Sequence, residues 1–298
     1  MAAALIALDW GTTSLRGWLI AADGAILDRR AGGPGILAVG DSDFAGALRS
    51  FVAGWPDLPS IASGMIGSKQ GWIEAPYVAC PGGFADLAPG LSTAPGRALR
   101  VVPGVARQVP GLAPDVMRGE ETQIFGALES DEASGLFILP GTHSKWARVA
   151  SGRIVSFATY MTGEIFAVLR QHSILGRLMA ADAMPDLNAA AFEAGAEVGL
   201  HHGDDLLHRL FAVRTLGLFE RLSAADAPSY LSGLLIGAEI AAALHRESAD
   251  SPTLIGARPL CAAYRRVLAA QGIESRIADE DVTPRGLWRI ARAAGMIG

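Results

Sequence analysis

Lysine is nearly absent from this 298-residue chain: of 25 basic side chains only Lys69 and Lys145 are lysines, and the rest are arginine. Charge of either sign is sparse, at 18 % of residues, and the net charge of −5 excludes the basic footprint of a nucleic-acid-binding protein. Cysteine is limited to Cys80 and Cys261, far apart and without His or Cys neighbours at metal-ligand spacing, so both are expected to be buried thiols. No uncharged apolar run approaches the roughly 18 residues that a membrane-spanning helix needs. The amino terminus lacks a basic stretch followed by an apolar signal core. These absences predict a cytoplasmic protein with neither membrane nor nucleic acid as a partner.

What is present is apolar mass and glycine. Half of the residues are hydrophobic, enough for a sizeable core, and the length favours two domains. The opening residues read as strand, loop, strand, hairpin, strand over Leu5–Asp9, Leu15–Ala21 and Ala25–Arg29, with a turn at Asp23-Gly24. A helix is expected over Ser42–Ala53 and a strand over Ser60–Ile66, before a Gly-, Pro- and aromatic-rich stretch to Pro103 that suits an irregular functional surface. Residues 134–159 then repeat the opening plan, with Gly141-Thr142-His143-Ser144 standing where Gly11-Thr12-Thr13-Ser14 stood. The remainder is helical by periodicity, over Gly163–Arg170, Ala189–Val198, Asp204–Arg221, Tyr230–Arg246, Leu260–Gln271 and Pro284–Ala294. Short strands are expected at Thr253–Ile255 and Ser275–Ile277. The division predicted is a first domain of 1–118 and a second of 119–298.

Three patterns carry chemistry. Asp9 closes a strand and precedes Gly11-Thr12-Thr13-Ser14, a turn that exposes backbone N–H groups and hydroxyls to phosphate oxygens; its carboxylate could hold Mg²⁺ directly or through water. The second loop offers Gly141, Thr142 and Ser144 in the same way, with Lys145 beside it, so two such loops facing one another would form a nucleotide clamp. Between them, Arg118-Gly119-Glu120-Glu121 opens a helix whose buried stripe is Ile124, Phe125 and Leu128. A carboxylate fixed there can take the proton of a hydroxyl that attacks phosphorus, a reaction needing orientation more than strong basicity. Thr162 is expected as an N-cap, Glu239 is expected to meet an arginine, and the segment Tyr230–Ala243 is expected to be a closely packed core helix.

The order of these motifs, ending in the Ile255-Gly256 turn, resembles the superfamily of sugar kinases, actin and heat-shock chaperones. The strings Gly64–Trp72, Val116–Gln123, Leu139–Trp146 and Tyr230–Gly237 are similar, essentially from end to end, to the 2-dehydro-3-deoxygalactonokinase family. The resemblance implies an α/β fold of two ribonuclease-H-like (actin-like ATPase) domains, each with the β-meander, separated by a cleft. It also implies ATP- and Mg²⁺-dependent phosphorylation of 2-dehydro-3-deoxy-D-galactonate at its 6-hydroxyl. By position Asp9, Gly11, Thr12 and Thr13 match the first phosphate motif, Gly141 and Thr142 the second, and Gly256 the adenosine-motif glycine. Larger sugar kinases place an aspartate as general base where this chain has Glu120, followed by Glu121, so the choice of base between the two stays open.

A keto-deoxy sugar acid needs a cation at one end of its pocket and hydrogen-bonding groups at the other. Ser68, Lys69, Gln70 and Trp72 offer a hydroxyl, a cation, an amide and an aromatic platform, and Arg118 is the second cation near the reaction centre. A kinase for another sugar acid or a hexose, or a phosphohydrolase or switch of the same superfamily, remain alternatives, and a homodimer is left open.

Overall fold

The computed structural model describes residues 2–96 and 98–298. The chain opens with a meander of β1 (Ala3–Trp10), β2 (Ser14–Ala21) and β3 (Ile26–Pro34), followed by α1 (Phe44–Phe51) and β4 (Ser60–Ser63). Strand β1 is apolar without alternation because it is interior: β2 pairs antiparallel on one side and β4 parallel on the other, and Leu5, Ile6, Ala7 and Leu8 are all buried. Strand β3 lies at the edge and carries Asp28, Arg29 and Arg30, charges that discourage further pairing. Helix α1 is shorter than expected, because the side chain of Asp43 accepts the Gly46 N–H at 2.8 Å and caps the helix from outside it.

The stretch expected to be irregular holds β5 (Tyr77–Ala79), α2 (Phe84–Leu87), β6 (Ser92–Thr93) and β7 (Leu99–Val101), then β8 (Gly104–Arg107), β9 (Asp115–Met117) and α3 (Glu120–Ala127). Among the described residues β7 and β6 complete a sheet in the order β3-β2-β1-β4-β7-β6, while β5, β8 and β9 form a separate small sheet. These strands are two to four residues long, too short for periodicity to reveal them.

The meander recurs as β10 (Gly135–Leu139), β11 (Ser144–Ala150) and β12 (Arg153–Tyr160). Helices α4 (Thr162–His172), α5 (Ala190–His202), α6 (Leu206–Leu218) and α7 (Ala227–Leu244) follow, then β13 (Thr253–Leu254), α8 (Arg258–Ala270), β14 (Arg276–Ile277) and α9 (Val282–Ala293). The second sheet runs β12-β11-β10-β13-β14, with β10, β13 and β14 parallel. Three consecutive strands followed by two parallel ones is also the order of β3-β2-β1-β4-β7. The chain therefore builds the ribonuclease-H-like sheet twice, as in actin-like ATPases.

By contacts, one compact unit comprises the residues up to Ser134 with Ala147–Phe157 and Asp279–Gly298; the other comprises Gly135–Trp146 and Ala158–Ala278. The units interleave along the chain, where the sequence suggested one boundary at 118/119. Helix α9 is part of the reason, for it returns to the first unit and lies directly on α3. A Cβ at Gly126 would stand 1.7 Å from the Val282 carbonyl oxygen, and one at Gly286 would stand 1.9 Å from that of Thr122. Cys261 is buried as expected, but Cys80 is only half-buried; burial pushes both thiols up to about 11, so neither is a thiolate at neutral pH.

In the second unit α7 is apolar and long enough to cross a membrane, and it is the core helix, mostly buried. It crosses α5 at backbone contact. Cβ atoms at Gly233 and Gly237 would lie 2.0 and 2.3 Å from the carbonyl oxygens of Phe192 and Ala196, and those at Gly195 and Gly199 would meet the Tyr230 and Leu234 oxygens at 2.1 and 2.2 Å. Even a methyl group forces the helices apart. Gly237→Ala is therefore expected to lower the unfolding free energy by about 2 kcal/mol, as overpacking does. Gly40→Ala, where nothing lies within 4 Å, is expected to be near neutral. Urea unfolding checks this, and equal midpoints for the two variants would contradict the packing argument.

Candidate active site

In the first unit the carboxyl ends of the parallel strands β1 and β4 meet the start of α3. Gly64 follows β4 with φ +96°, and Gly119 precedes α3 with φ +108°. A Cβ at Gly64 would lie 2.9 Å from the Trp10 carbonyl oxygen and 3.3 Å from Asp9 Oδ1; one at Gly119 would lie 3.3 Å from the Gly64 Cα. Only glycine lets these segments approach so closely. Asp9, the Gly64 string and the two glutamates are thus brought together, at the ends of parallel strands where open α/β sheets bind ligands.

The loop after Asp9 is a tight hairpin in which the Gly11 N–H donates to the Ser14 carbonyl at 2.9 Å. Thr12, Thr13 and Ser14 are exposed. Gly35, which the sequence reading passed over, supports the loop from behind: its Cβ would stand 2.3 Å from the Thr13 carbonyl carbon, and Ile36 N–H donates to Gly11 O at 3.0 Å. A second omission is Arg16, whose Nη2 lies 2.5 Å from Asp9 Oδ2. Two residues beyond the loop, strand alternation returns Arg16 to the side of the sheet where Asp9 stands, and the β1–β2 register pairs them directly.

The two glutamates have different surroundings. Glu121 is fully buried and turns back on its own helix start, accepting the Gly119 N–H with both oxygens at 2.9 and 2.8 Å and the Thr122 hydroxyl at 3.1 Å. Burial pushes its carboxyl up to about 7, helped by the neighbouring Glu120 charge and opposed by these hydrogen bonds. Glu120 is half-buried and accepts the Arg118 N–H at 3.0 Å. Ile124, Phe125 and Leu128 are buried as expected. The far end of α3 is held by α9, where Arg289 donates to the Phe125 and Leu128 carbonyls at 2.6 and 2.9 Å, and Arg285 to that of Gly126 at 3.0 Å.

Arg118 donates from Nη2 to the Ala75 carbonyl at 2.8 Å and lies over the Tyr77 ring at 4.4 Å, tying the start of α3 to the loop that follows β4. Its Nη1 and Nε are buried without a partner among the described residues. The remaining sugar-acid candidates are dispersed. Lys69 is 83 % exposed with Glu74 at 4.0 Å, Gln70 is exposed, and the Ser68 hydroxyl accepts the Gln70 N–H at 3.3 Å. Trp72 is not an open platform: its ring stacks on Phe44 (6.2 Å, 19°) and meets Trp10 edge-on (6.4 Å, 74°), as part of the core.

In the second unit Gly141 and Thr142 lead into β11, and the Thr142 carbonyl accepts the Glu164 N–H at 3.0 Å. A Cβ at Gly163 would lie 2.5 Å from the Gly141 oxygen, so α4 begins against this loop. Gly256 (φ +147°) lies behind it, its Cβ position 3.2 Å from the Pro140 oxygen. Ser144 does not offer its hydroxyl outward. It is fully buried and donates to Glu239 at 2.7 Å. Trp146 Nε1 (2.8 Å), Tyr264 OH (2.6 Å) and the Thr162 hydroxyl donate to the same carboxylate. Glu239 therefore meets four neutral donors rather than the arginine expected, and Thr162 is a donor to it rather than an N-cap. Burial raises the Glu239 carboxyl and the four donors oppose the shift. Lys145 is buried, with Nζ 3.0 Å from the His143 carbonyl. Beside the loop, Gly141, Thr142, Thr162, Ser232, Leu260 and Tyr264 line part of a pocket of about 290 Å³.

The sequence model of the 2-keto-3-deoxy-galactonokinase family matches residues 9–290. The chain belongs to this family. A 2-dehydro-3-deoxygalactonokinase from Escherichia coli (strain K12) is 35 % identical over 301 residues, spanning 98 % of this chain and 99 % of its own length. A relative from Rhizobium meliloti (strain 1021), named a probable 2-dehydro-3-deoxygalactonokinase, is 40 % identical over 295 residues, with 96 % of each chain covered. A crystal structure from Sinorhizobium meliloti described by that enzyme name is 39 % identical, aligns over 97 % of this chain and 98 % of its own, and gives a TM-score of 0.90. Membership of the 2-keto-3-deoxy-galactonokinase family makes the protein a sugar-acid kinase, a phosphotransferase.

Among the described residues no three His, Cys, Asp or Glu side chains are grouped to hold a metal ion. The raised Glu121 carboxyl has a consequence for stability. Its folded value lies above the ordinary 4.5, so its contribution is fully present below pH 4.5 and is lost as pH rises through about 7. The stability difference between wild type and Glu121→Gln is expected to move against the wild type by on the order of 2 kcal/mol from about pH 5 to pH 8. Urea unfolding across that range checks it; a pH-independent difference would show that Glu121 titrates normally.

Proposed function

We propose that the protein transfers the γ-phosphoryl group of Mg-ATP to the 6-hydroxyl of 2-dehydro-3-deoxy-D-galactonate. The observation carrying this reading is the convergence of Asp9, Gly64 and the acidic start of α3 at the ends of two parallel strands. Mg-ATP would supply the phosphoryl group, with ADP leaving, and the metal would offset the negative charge of the phosphate oxygens. Asp9 would hold the metal, exchanging its present partner Arg16 for it. The backbone N–H groups and exposed hydroxyls of Gly11, Thr12 and Thr13 would receive phosphate oxygens, and so would Gly141 and Thr142. The apolar pocket beside Thr142 fits the nucleoside, with Gly256 behind the strand end that feeds the loop. In this reading Ser144 and Lys145 act on the loop from inside.

Glu120 is assigned as the base. Its half-buried carboxylate can meet a substrate hydroxyl, accept its proton and leave the oxygen free to bond phosphorus, whereas Glu121 holds the Gly119 N–H and fixes the helix start. Arg118 is the candidate for the substrate carboxylate, with two buried guanidinium nitrogens still without a partner among the described residues. Ser68, Lys69 and Gln70 would meet the sugar acid from the exposed loop, which Trp72 anchors in the core.

Coupled ATP-consumption assays over keto-deoxy sugar acids, aldoses and polyols test the substrate. Turnover restricted to keto-deoxy sugar acids is expected; turnover without sugar, or equal turnover with neutral hexoses, would overturn the assignment. For the base, Glu120→Gln is expected to lower kcat about 10²-fold or more with little change in KM for the sugar acid. If Glu121→Gln shows that loss and Glu120→Gln does not, the roles are reversed.

A further inference from the structure

The pocket beside the Gly141–Thr142 loop has one side-chain hydroxyl to spare. No carboxylate, amide or cation is among the side chains that line it. Of its hydroxyls, those of Thr162 and Tyr264 are committed to Glu239, and Thr142 belongs to the loop itself. Ser232 remains. It is only 8 % exposed, yet its hydroxyl has no hydrogen-bond partner among the described residues, and it is not sealed in as the Ser63 hydroxyl is. Leaving a buried hydroxyl unpaired costs stability, and one that opens into a cavity is placed to meet a ligand.

Its position along α7 says which part of a ligand that is. Ser232 and Glu239 are seven residues apart on this helix, which places them on one face and about 10 Å from each other. Glu239 holds Ser144 and Thr162, the supports of the loop, so Ser232 stands at the end of the pocket remote from the phosphate side. Pro185 and Leu187 line the pocket as well. Their segment is held to α7 and α8, for the Asp186 N–H donates to the Ser229 hydroxyl at 2.9 Å and Arg266 to Asn188 Oδ1 at 2.8 Å. A nucleotide with its phosphates at Gly141 and Thr142 would extend its base toward this end.

We propose that Ser232 is the side chain that reads the nucleobase, and that it accepts either purine, so that the enzyme uses GTP as well as ATP. The inference rests on the reading that the nucleoside occupies this pocket. Adenine carries a 6-amino donor where guanine carries a 6-keto acceptor. A site with a fixed amide or carboxylate satisfies one and leaves its own polar group unpaired against the other, which is how strong discrimination arises. A serine hydroxyl rotates, accepting from the amino group or donating to the keto group, so neither purine leaves it unpaired. The remaining walls, among them Leu235, Ile236 and Leu260, are apolar and contribute in proportion to the area covered, which favours two-ring bases over pyrimidines.

Isothermal titration of the full-length protein with Mg-ADP, Mg-GDP, Mg-CDP and magnesium tripolyphosphate tests this without reference to turnover. Wild type is expected to bind ADP and GDP within about fivefold of one another and CDP more weakly. Ser232→Ala is expected to weaken ADP and GDP alike by roughly threefold to tenfold, the worth of one hydrogen bond, and to leave tripolyphosphate unchanged. An unchanged urea midpoint for the variant shows that the helix is intact. A wild-type preference for ADP over GDP of more than about 30-fold, or purine binding indifferent to Ser232→Ala, would overturn this inference while leaving the kinase assignment standing. A loss shared by tripolyphosphate would place Ser232 at the phosphate end and overturn it too. A wild type that binds tripolyphosphate but none of the nucleotides more tightly would instead overturn the placement of the nucleoside in this pocket.

Discussion

The candidate active site depends on the fixing of one short helix. Helix α3 is eight residues long, too short to be stable by itself, yet its first turn carries both glutamates. It is held at three places. Glu121 accepts the Gly119 N–H at its start, α9 meets its backbone through Gly126 and Gly286, and Arg285 and Arg289 take its last carbonyls. The chain therefore ends by returning to the unit in which it began, and α9 fixes the axis along which the Glu120 carboxylate is presented.

The second unit answers a similar need with a buried carboxylate. Glu239 lies on the core helix α7 and gathers donors from β11, α4 and α8. Taking a carboxylate out of water is costly, and four short hydrogen bonds make it tolerable while giving the site one arrangement. The Thr142 carbonyl and the start of α4 are held within the same assembly, so the rigidity of the Gly141–Thr142 loop derives from a residue far away in sequence.

Much of this was legible in sequence. The duplicated meander, the acidic helix start and the late helices are periodic or punctuated by glycine, and the structure places them within a few residues of expectation. What periodicity did not reveal has identifiable causes. Strands β5 to β7 are too short to repeat, and β7 belongs to the first sheet nonetheless. Asp9 and Arg16 are neighbours only once a register is known, and Glu239 finds its donors 25 to 95 residues away. Trp72 looked like a platform because composition cannot distinguish an exposed ring from one packed on Phe44 and Trp10.

The two glycine-threonine loops show how similar strings come to differ. Ser14 and Ser144 end matching loops and begin matching strands, yet Ser14 is exposed and Ser144 fully buried. The difference lies in what each loop is supported by. Behind the first is Gly35, a residue with no side chain, which supports backbone by backbone and leaves all three hydroxyls outward. Behind the second is a carboxylate, which draws in the hydroxyl nearest to it. A duplicated motif therefore duplicates its backbone donors more faithfully than its side-chain donors. On the proposed function, the second loop therefore meets phosphate through Gly141 and Thr142 without its closing serine, whereas the first keeps its hydroxyls outward beside its backbone donors.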